Sequence, residues 1–395
     1  MRRAAVILIV SVLVLGGLAA LENGVRSAAS GPPGRIGHAM AYESKADRMV
    51  MFGGLTMAAN AADTWSYDLE TNTWSNLTSA SGPSYRLGHA VAYDSESDRI
   101  VMFAGMTSIG RTNETWSYNL EANTWTKLDP ATKPHARDYA AMAYDSASDR
   151  VILFGGYSAD GYLADTWSYD LNTDTWTNLT PAIGPPARDY SAMAYDVRSD
   201  RLILFGGDTE TGYAADTWSY DFNTNTWTNR IPATGPCARH GHAMAYDAKS
   251  DQIVLFGGHR LTGYNPAGYL ADTWSYEFAT NTWRNRTPAV GPEARVRPAM
   301  AYDSQSDRIV LFGGRNATNV FLADTWSYDL NTNTWTDVNA AGGTSVPPGS
   351  PEAPLWALIA VVIVVAAVTA LVWIRRRRKP TPRTSEPLPS LIERL

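Results

Sequence analysis

Residues 298–314 read PAMAYDSQSDRIVLFGG, and residues 323–335 read ADTWSYDLNTNTW. Near-copies of this pair of phrases occur six times along the chain. The equivalent tyrosines Tyr42, Tyr93, Tyr144, Tyr195, Tyr246 and Tyr302 stand 51, 51, 51, 51 and 56 residues apart. A period near fifty, built from four short runs, predicts a repeated four-stranded unit that cannot bury its own faces and must stack on copies of itself. The expected fold is all-β, a closed ring of six blades at about 34–83, 84–134, 135–186, 187–236, 237–292 and 293–338.

Each repeat can be taken strand by strand. The small, alternating AMAYD run suits a crowded inner strand. The run after it, such as Ile309 to Phe312, is continuously apolar and should be covered on both faces. It ends in Gly313–Gly314, where the chain can turn with positive φ and let backbones approach. In the third strand Trp326 and Tyr328 alternate with small residues and share a face. The fourth strand begins at Thr334–Trp335, after a turn of Asn and Thr. Of the 14 tryptophans, all but Trp356 and Trp373 fall in two positions per repeat, so the repeated ones are expected to be structural.

This order of strands, with Gly-Gly ending the second and Tyr and Trp marking the third and fourth, resembles the kelch repeat. Six copies imply the six-bladed β-propeller of that family, in the superfamily of the galactose oxidase central domain. The departures are Ala104 for one glycine, Glu114 for the Asp of ADTW, and Pro298 in the last inner strand. The Gly-His and Trp-Asp signature of tryptophan-aspartate propellers is missing.

The ends of the chain predict where the ring sits. Arg2 and Arg3 precede an apolar run, so residues 1–30 read as a signal peptide or an uncleaved signal anchor. Residues 355–374 carry no charge and as a helix would rise about 30 Å, the thickness of a hydrocarbon core. Residues 375–379 are all Arg or Lys, and such flanks stay cytoplasmic. The expected protein is anchored in the cell membrane by one C-terminal helix, or passes twice if the first segment is kept. The repeats lie outside the cytoplasm in either case. Residues 339–354 read as a flexible stalk and 375–395 as a cytoplasmic basic stub.

The formal net charge is −6, and most of the basic surplus is in the C-terminal stub, so the repeats are acidic. Nucleic-acid binding needs clustered Lys and Arg and is set aside. The one cysteine, Cys237, excludes an intrachain disulfide. Five N-x-S/T sequons, at Asn76, Asn113, Asn178, Asn285 and Asn316, offer glycosylation sites if the host has the machinery.

Repetition suits a scaffold and difference suits recognition. The turns at one end of the blades are nearly constant. Variation is concentrated in the loops between strands 2 and 3, which share the opposite face with the loops that enter each blade. Tyr162, Tyr213, Tyr264, Tyr269 and Phe321, with Tyr139 and Tyr190, place aromatic surface there, either for a glycan or protein partner or to pack their own loops.

One arginine precedes every inner strand: Arg35, Arg86, Arg137, Arg188, Arg239 and Arg295. These six are candidates for a ligand-binding ring, or they serve six equal structural tasks by pairing with the recurring Asp63, Asp165, Asp216, Asp272 and Asp324. Cys237, His240 and His242 give a C-x-x-H-x-H cluster, yet His242 only repeats His38 and His89, so no metal or cofactor is assigned. Asp138 and Asp189 beside the arginines keep a sugar-active enzyme open as the alternative to a cell-surface binding module, as is a structural cell-envelope role. No residue is assigned as catalytic.

Overall fold

The computed structural model describes residues 31–261 and 268–339. The leader, stalk, membrane-helix and basic-stub readings, and Tyr264, lie outside the described residues. Among the described residues no helix is long and apolar enough to cross a membrane.

Six antiparallel four-stranded sheets follow one another along the chain, each ordered from inner to outer strand. The first blade comprises Ala39–Glu43, Arg48–Phe52, Thr64–Asp68 and Thr73–Asn76, and the last comprises Ala299–Asp303, Arg308–Phe312, Thr325–Asp329 and Thr334–Asp337. The apolar second strand is sealed on both faces: Val151, Ile152, Leu153 and Phe154 are fully buried. One face packs on the preceding blade and the other on the next, as Ala141, Ile152 and Phe154 of blade 3 join Leu202, Leu204 and Tyr220 of blade 4 in one cluster. Trp65 and Tyr67 share a face, as their alternation requires.

The joints between blades repeat with the same atoms. The outer-strand indole N–H donates to a third-strand threonine of the preceding blade: Trp125 to Thr64, Trp176 to Thr115, Trp227 to Thr166, Trp283 to Thr217 and Trp335 to Thr273, all at 2.9–3.0 Å. The second glycine of each pair donates its N–H to the arginine carbonyl of the next blade, as Gly156 does to Arg188 at 2.8 Å.

Blade 6 closes on blade 1 with the same joint. Trp74 donates to Thr325 at 3.0 Å, Gly314 to the carbonyl of Arg35 at 3.0 Å, and Met40, Met49 and Met51 pack with Val310 and Phe312. Among the described residues no strand is exchanged between the two ends, and these hydrogen bonds and this packing close the ring.

The turns at the constant end are held by tyrosine hydroxyls. Tyr42 donates to Asp47 at 2.9 Å and Tyr67 to Asn72 at 2.9 Å. Both acceptors have left-handed backbones, with φ of 58° and 51°, which Asp and Asn tolerate better than other side chains. This explains why these turns barely vary.

Candidate functional site

The six candidate arginines are 0 % exposed. Arg137 grips Asp165 with two bonds of 2.6 and 2.7 Å and also donates to the carbonyls of Gly155 and His135. The same fork joins Arg35 to Asp63, Arg188 to Asp216, Arg239 to Asp272 and Arg295 to Asp324. In blade 2 the longer Glu114 meets Arg86 with one oxygen and Lys127 with the other. Each Asp also accepts the indole N–H two residues on, as Asp165 does from Trp167 at 2.7 Å. The ring is therefore a set of six occupied structural clamps. Its guanidinium groups are not open to a ligand, which corrects that half of the expectation.

The residue after each arginine leads to the variable face. The segment that enters each blade pairs with the loop that follows its Gly-Gly, and that loop folds back on itself. The result is a row of three residues per blade in one line of cross-strand pairs. The rows are Ile36–Leu55–Asn60, Leu87–Met106–Arg111, Asp138–Tyr157–Tyr162, Asp189–Asp208–Tyr213, His240–His259–Tyr269 and Val296–Arg315–Phe321. Blades 1 and 2 have apolar residues at the first two places of the row. Blades 3 to 6 carry carboxylates, imidazoles, phenols and a guanidinium.

From blade 2 to blade 6 neighbouring rows interlock, the outer residue of one meeting the next. Arg111 donates to Asp138 at 2.8 Å and lies 4.8 Å over the Tyr157 ring. The Tyr162 phenol lies beside the Asp208 carboxylate. Tyr213 stacks on His240 with centroids 4.4 Å apart, and Arg315 stands over Tyr269 at 5.9 Å.

At the channel mouth, inside these rows, Gly37, Gly88, Tyr139, Tyr190, Gly241 and Arg297 occupy one equivalent position, all with φ between 49° and 66°. A side chain there costs on the order of 1–3 kcal/mol of backbone strain, which glycine avoids. Backbone bonds run from Gly88 to Gly37, Tyr139 to Gly88, Tyr190 to Tyr139, Gly241 to Tyr190 and Arg297 to Gly241. Tyr139 and Tyr190 stack at 3.8 Å, and Arg297 lies 5.3 and 4.5 Å over their rings. A β-carbon on Gly88 would come within 2.8 Å of the Tyr139 ring, so the glycines make room for this lid. These six residues, with His38, His89, Ser191 and His242 among others, line a pocket of about 130 Å³.

The electrostatics are uneven around the mouth. Burial, then the charges of Asp208 and Asp138, push the Asp189 carboxyl up to about 8, with Arg297 opposing. Burial also raises Asp138 against the pull of Arg111, and raises Asp208 against the nearby Tyr162 hydroxyl. His240 is lowered to about 3 by burial and by Arg297, and His259 is lowered by burial and Arg315, so both imidazoles are neutral at pH 7. Buried polar atoms without a partner gather here: Asp189 Oδ1, Ser191 Oγ, His240 Nδ1, His259 Nδ1, Arg297 Nε and Arg315 Nε.

Tyr162, Tyr213, Tyr269 and Phe321 are the outer members of four adjacent rows, so the candidate aromatics share one sector. The structure does not gather Cys237, His240 and His242. Cys237 is exposed, His240 stacks on Tyr213, and His242 is buried edge-on to Phe205 at 5.5 Å. Among the described residues no group of three or more His, Cys, Asp or Glu side chains is placed to hold a metal ion. The sequence does not single out Tyr157 and Arg297, and it offers Asp208, His259 and Arg315 only as the first residues of variable loops at 208–213, 259–270 and 315–321. A signal was available for four of these five residues, which directly follow the Gly-Gly pair, where the copies differ most.

The chain matches the family model of the KLHDC2/KLHL20/DRC7 Kelch-repeats domain over residues 23–184 and again over 182–355. It is similar to multiple epidermal growth factor-like domains protein 8 of Mus musculus, 28 % identical over 264 residues, covering 64 % of this chain and 9 % of that protein. The Homo sapiens counterpart is 27 % identical over 303 residues, covering 71 % of this chain and 10 % of the relative. The dynein alpha chain of the flagellar outer arm of Chlamydomonas reinhardtii is 27 % identical over 330 residues, covering 76 % and 7 %. The chain thus spans a tenth or less of the length of these relatives.

Proposed function

This chain belongs to the kelch-repeat family, and we propose from that premise that it binds a protein or glycan partner through the rows of blades 3 to 6. Fold alone would not choose a face. The observation that carries the choice is the contrast between rows. Six equivalent positions hold Ile36, Leu87, Asp138, Asp189, His240 and Val296, while the clamps beneath them hardly change. Aromatic rings with charged and polar tips supply the anchors typical of recognition surfaces.

The partner is met outside the cytoplasm in this proposal, with residues 355–374 as the membrane anchor and residues 339–354 as the stalk. Support comes from the uncharged 20-residue segment and the basic run after it. Crosslinking and affinity capture with the full chain on cells is the test. Tyr162→Ala with Tyr213→Ala should abolish capture of the partner, and Asn172→Ala with Asn223→Ala at the constant end should not. Equal capture by both pairs sinks the choice of face.

A second reading, a sugar-active enzyme, has one observation in its favour: Asp189, held protonated near neutrality, faces Asp208. Such a pair suits acid/base work. Turnover of a glycoside lost on Asp189→Asn would support it.

A further inference from the structure

We propose that the Asp189–Asp208 pair is the socket for a basic side chain, lysine or arginine, presented by the partner. The inference rests on the interaction reading above and names the chemistry of its partner. Asp189 and Asp208 are directly opposed in the antiparallel ribbon of Arg188–Asp189 and Asp208–Thr209. Like charges in that relation destabilise a ribbon, and the equivalent pairs in blades 1 and 2, Ile36 with Leu55 and Leu87 with Met106, show that the fold needs no charge there.

A separate observation points to a missing ligand. Asp189 is 6 % exposed, and its Oδ1 has no hydrogen-bond partner. Buried acceptors are rarely left so, because the orphan costs about 1–3 kcal/mol. The nearby cations are directed elsewhere. Arg111 is spent on Asp138, and Arg297 lies over the rings of Tyr139 and Tyr190.

The surroundings fit an ammonium or guanidinium group. Tyr213 is the cross-strand neighbour of Asp208 on its other side, and the Tyr162 phenol lies beside the same carboxylate. Phenol rings beside carboxylates hold cations by face attraction as well as charge. A bound cation draws a proton off Asp189 and offsets the repulsion that the two carboxylates would otherwise feel once both are charged. The groups facing Asp189 are Asp138, Asp208 and Arg297, with the phenols of Tyr139, Tyr162, Tyr190 and Tyr213 nearby. Neutral His240 adds no competing charge.

Saturation-transfer NMR on the full chain in detergent tests this, with N-acetyl-lysine methylamide and N-acetyl-arginine methylamide as probes and N-acetyl-norleucine methylamide as the uncharged control. Signals from the basic side chains should grow at least fivefold from pH 6 to pH 9, as Asp189 ionises. They should fall to the norleucine level in Asp189→Asn and weaken in Asp208→Asn, while thermal melting shows both variants folded. Equal signals from norleucine, signals that survive both substitutions, or no transfer from the basic probes would each overturn the socket. If the socket fails while Tyr162→Ala with Tyr213→Ala still abolishes partner capture, the interaction face stands without it. If capture is indifferent to those tyrosines, the face itself is wrong.

Discussion

Gly34 packs against the carbonyl of Phe321 so closely that a β-carbon built on it falls 2.1 Å from that oxygen. The equivalent places in blades 2 to 6 are Tyr85, Ala136, Ala187, Ala238 and Ala294. Only where the first blade meets the last is a side chain excluded. Gly34→Ala should therefore strain the seam and nothing else, at about 1–3 kcal/mol. Hydrogen exchange is the measurement: the amide of Gly314 should open faster, while that of Gly156, in the same joint between blades 3 and 4, stays protected. Equal protection at both would mean the seam yields without cost.

The arginine clamps should behave as buried ion pairs. Asp165→Asn leaves the fully buried Arg137 with an uncompensated charge, and removing one partner of such a pair costs about 3–5 kcal/mol. Because Asp165 is partly exposed on its outer side, the lower end is expected. Denaturant unfolding gives the value, and a change below about 1 kcal/mol would show the clamp is idle.

Acid should loosen the ring through its buried imidazoles. His38 and His89 are lowered to about 3 by burial and by the nearby Arg35 and Arg86 respectively. The unfolded chain binds their protons from about pH 6.5 downward while the folded chain does not, so stability falls as pH drops from about 6.5 towards 3. His89→Ser, which copies the residue that blade 4 has at Ser191, should flatten that slope. An unchanged slope would assign the acid response to other groups.

Asp189 has the opposite sign. Its folded form holds a proton up to about pH 8 and its unfolded form releases it near 4, so its contribution to stability declines as pH rises between those values. Asp189→Asn should remove the decline and melt higher than the parent at pH 8.5. A lower melting temperature there would mean the carboxylate is stabilising and its environment misjudged.

Cys237 makes the topology measurable. It is the sole cysteine and is exposed on the ring. A membrane-impermeant maleimide should label intact cells as fully as lysed ones if the repeats face outward. Labelling only after lysis would overturn that placement.

The frame was legible because its constraints repeat. Gly-Gly, Trp and the arginine each recur at one spacing for one task, and the pairing of Arg137 with Asp165 was already implied by their joint recurrence. The site was legible only at its rim. Tyr162, Tyr213, Tyr269 and Phe321 stand out in the variable loops as aromatic residues, whereas Asp208 and His259 open the same loops but carry no repeated partner that would mark them as site residues. Arg297 was hidden for another reason. Its reach over Tyr139 and Tyr190 spans from blade 6 to blades 3 and 4, a closeness that exists only once the ring has closed.

The joint made by Trp, Thr, Gly and Arg has a consequence for inheritance. Every blade offers its neighbour the same donor and acceptor atoms, so a stretch of gene encoding one blade can be traded for another in frame and still find its mates. What such an exchange alters is the succession of residues around the rim, the Asp189–Asp208 row standing beside a different companion. New ligands can then arise by shuffling finished parts, without reinventing the machine that carries them.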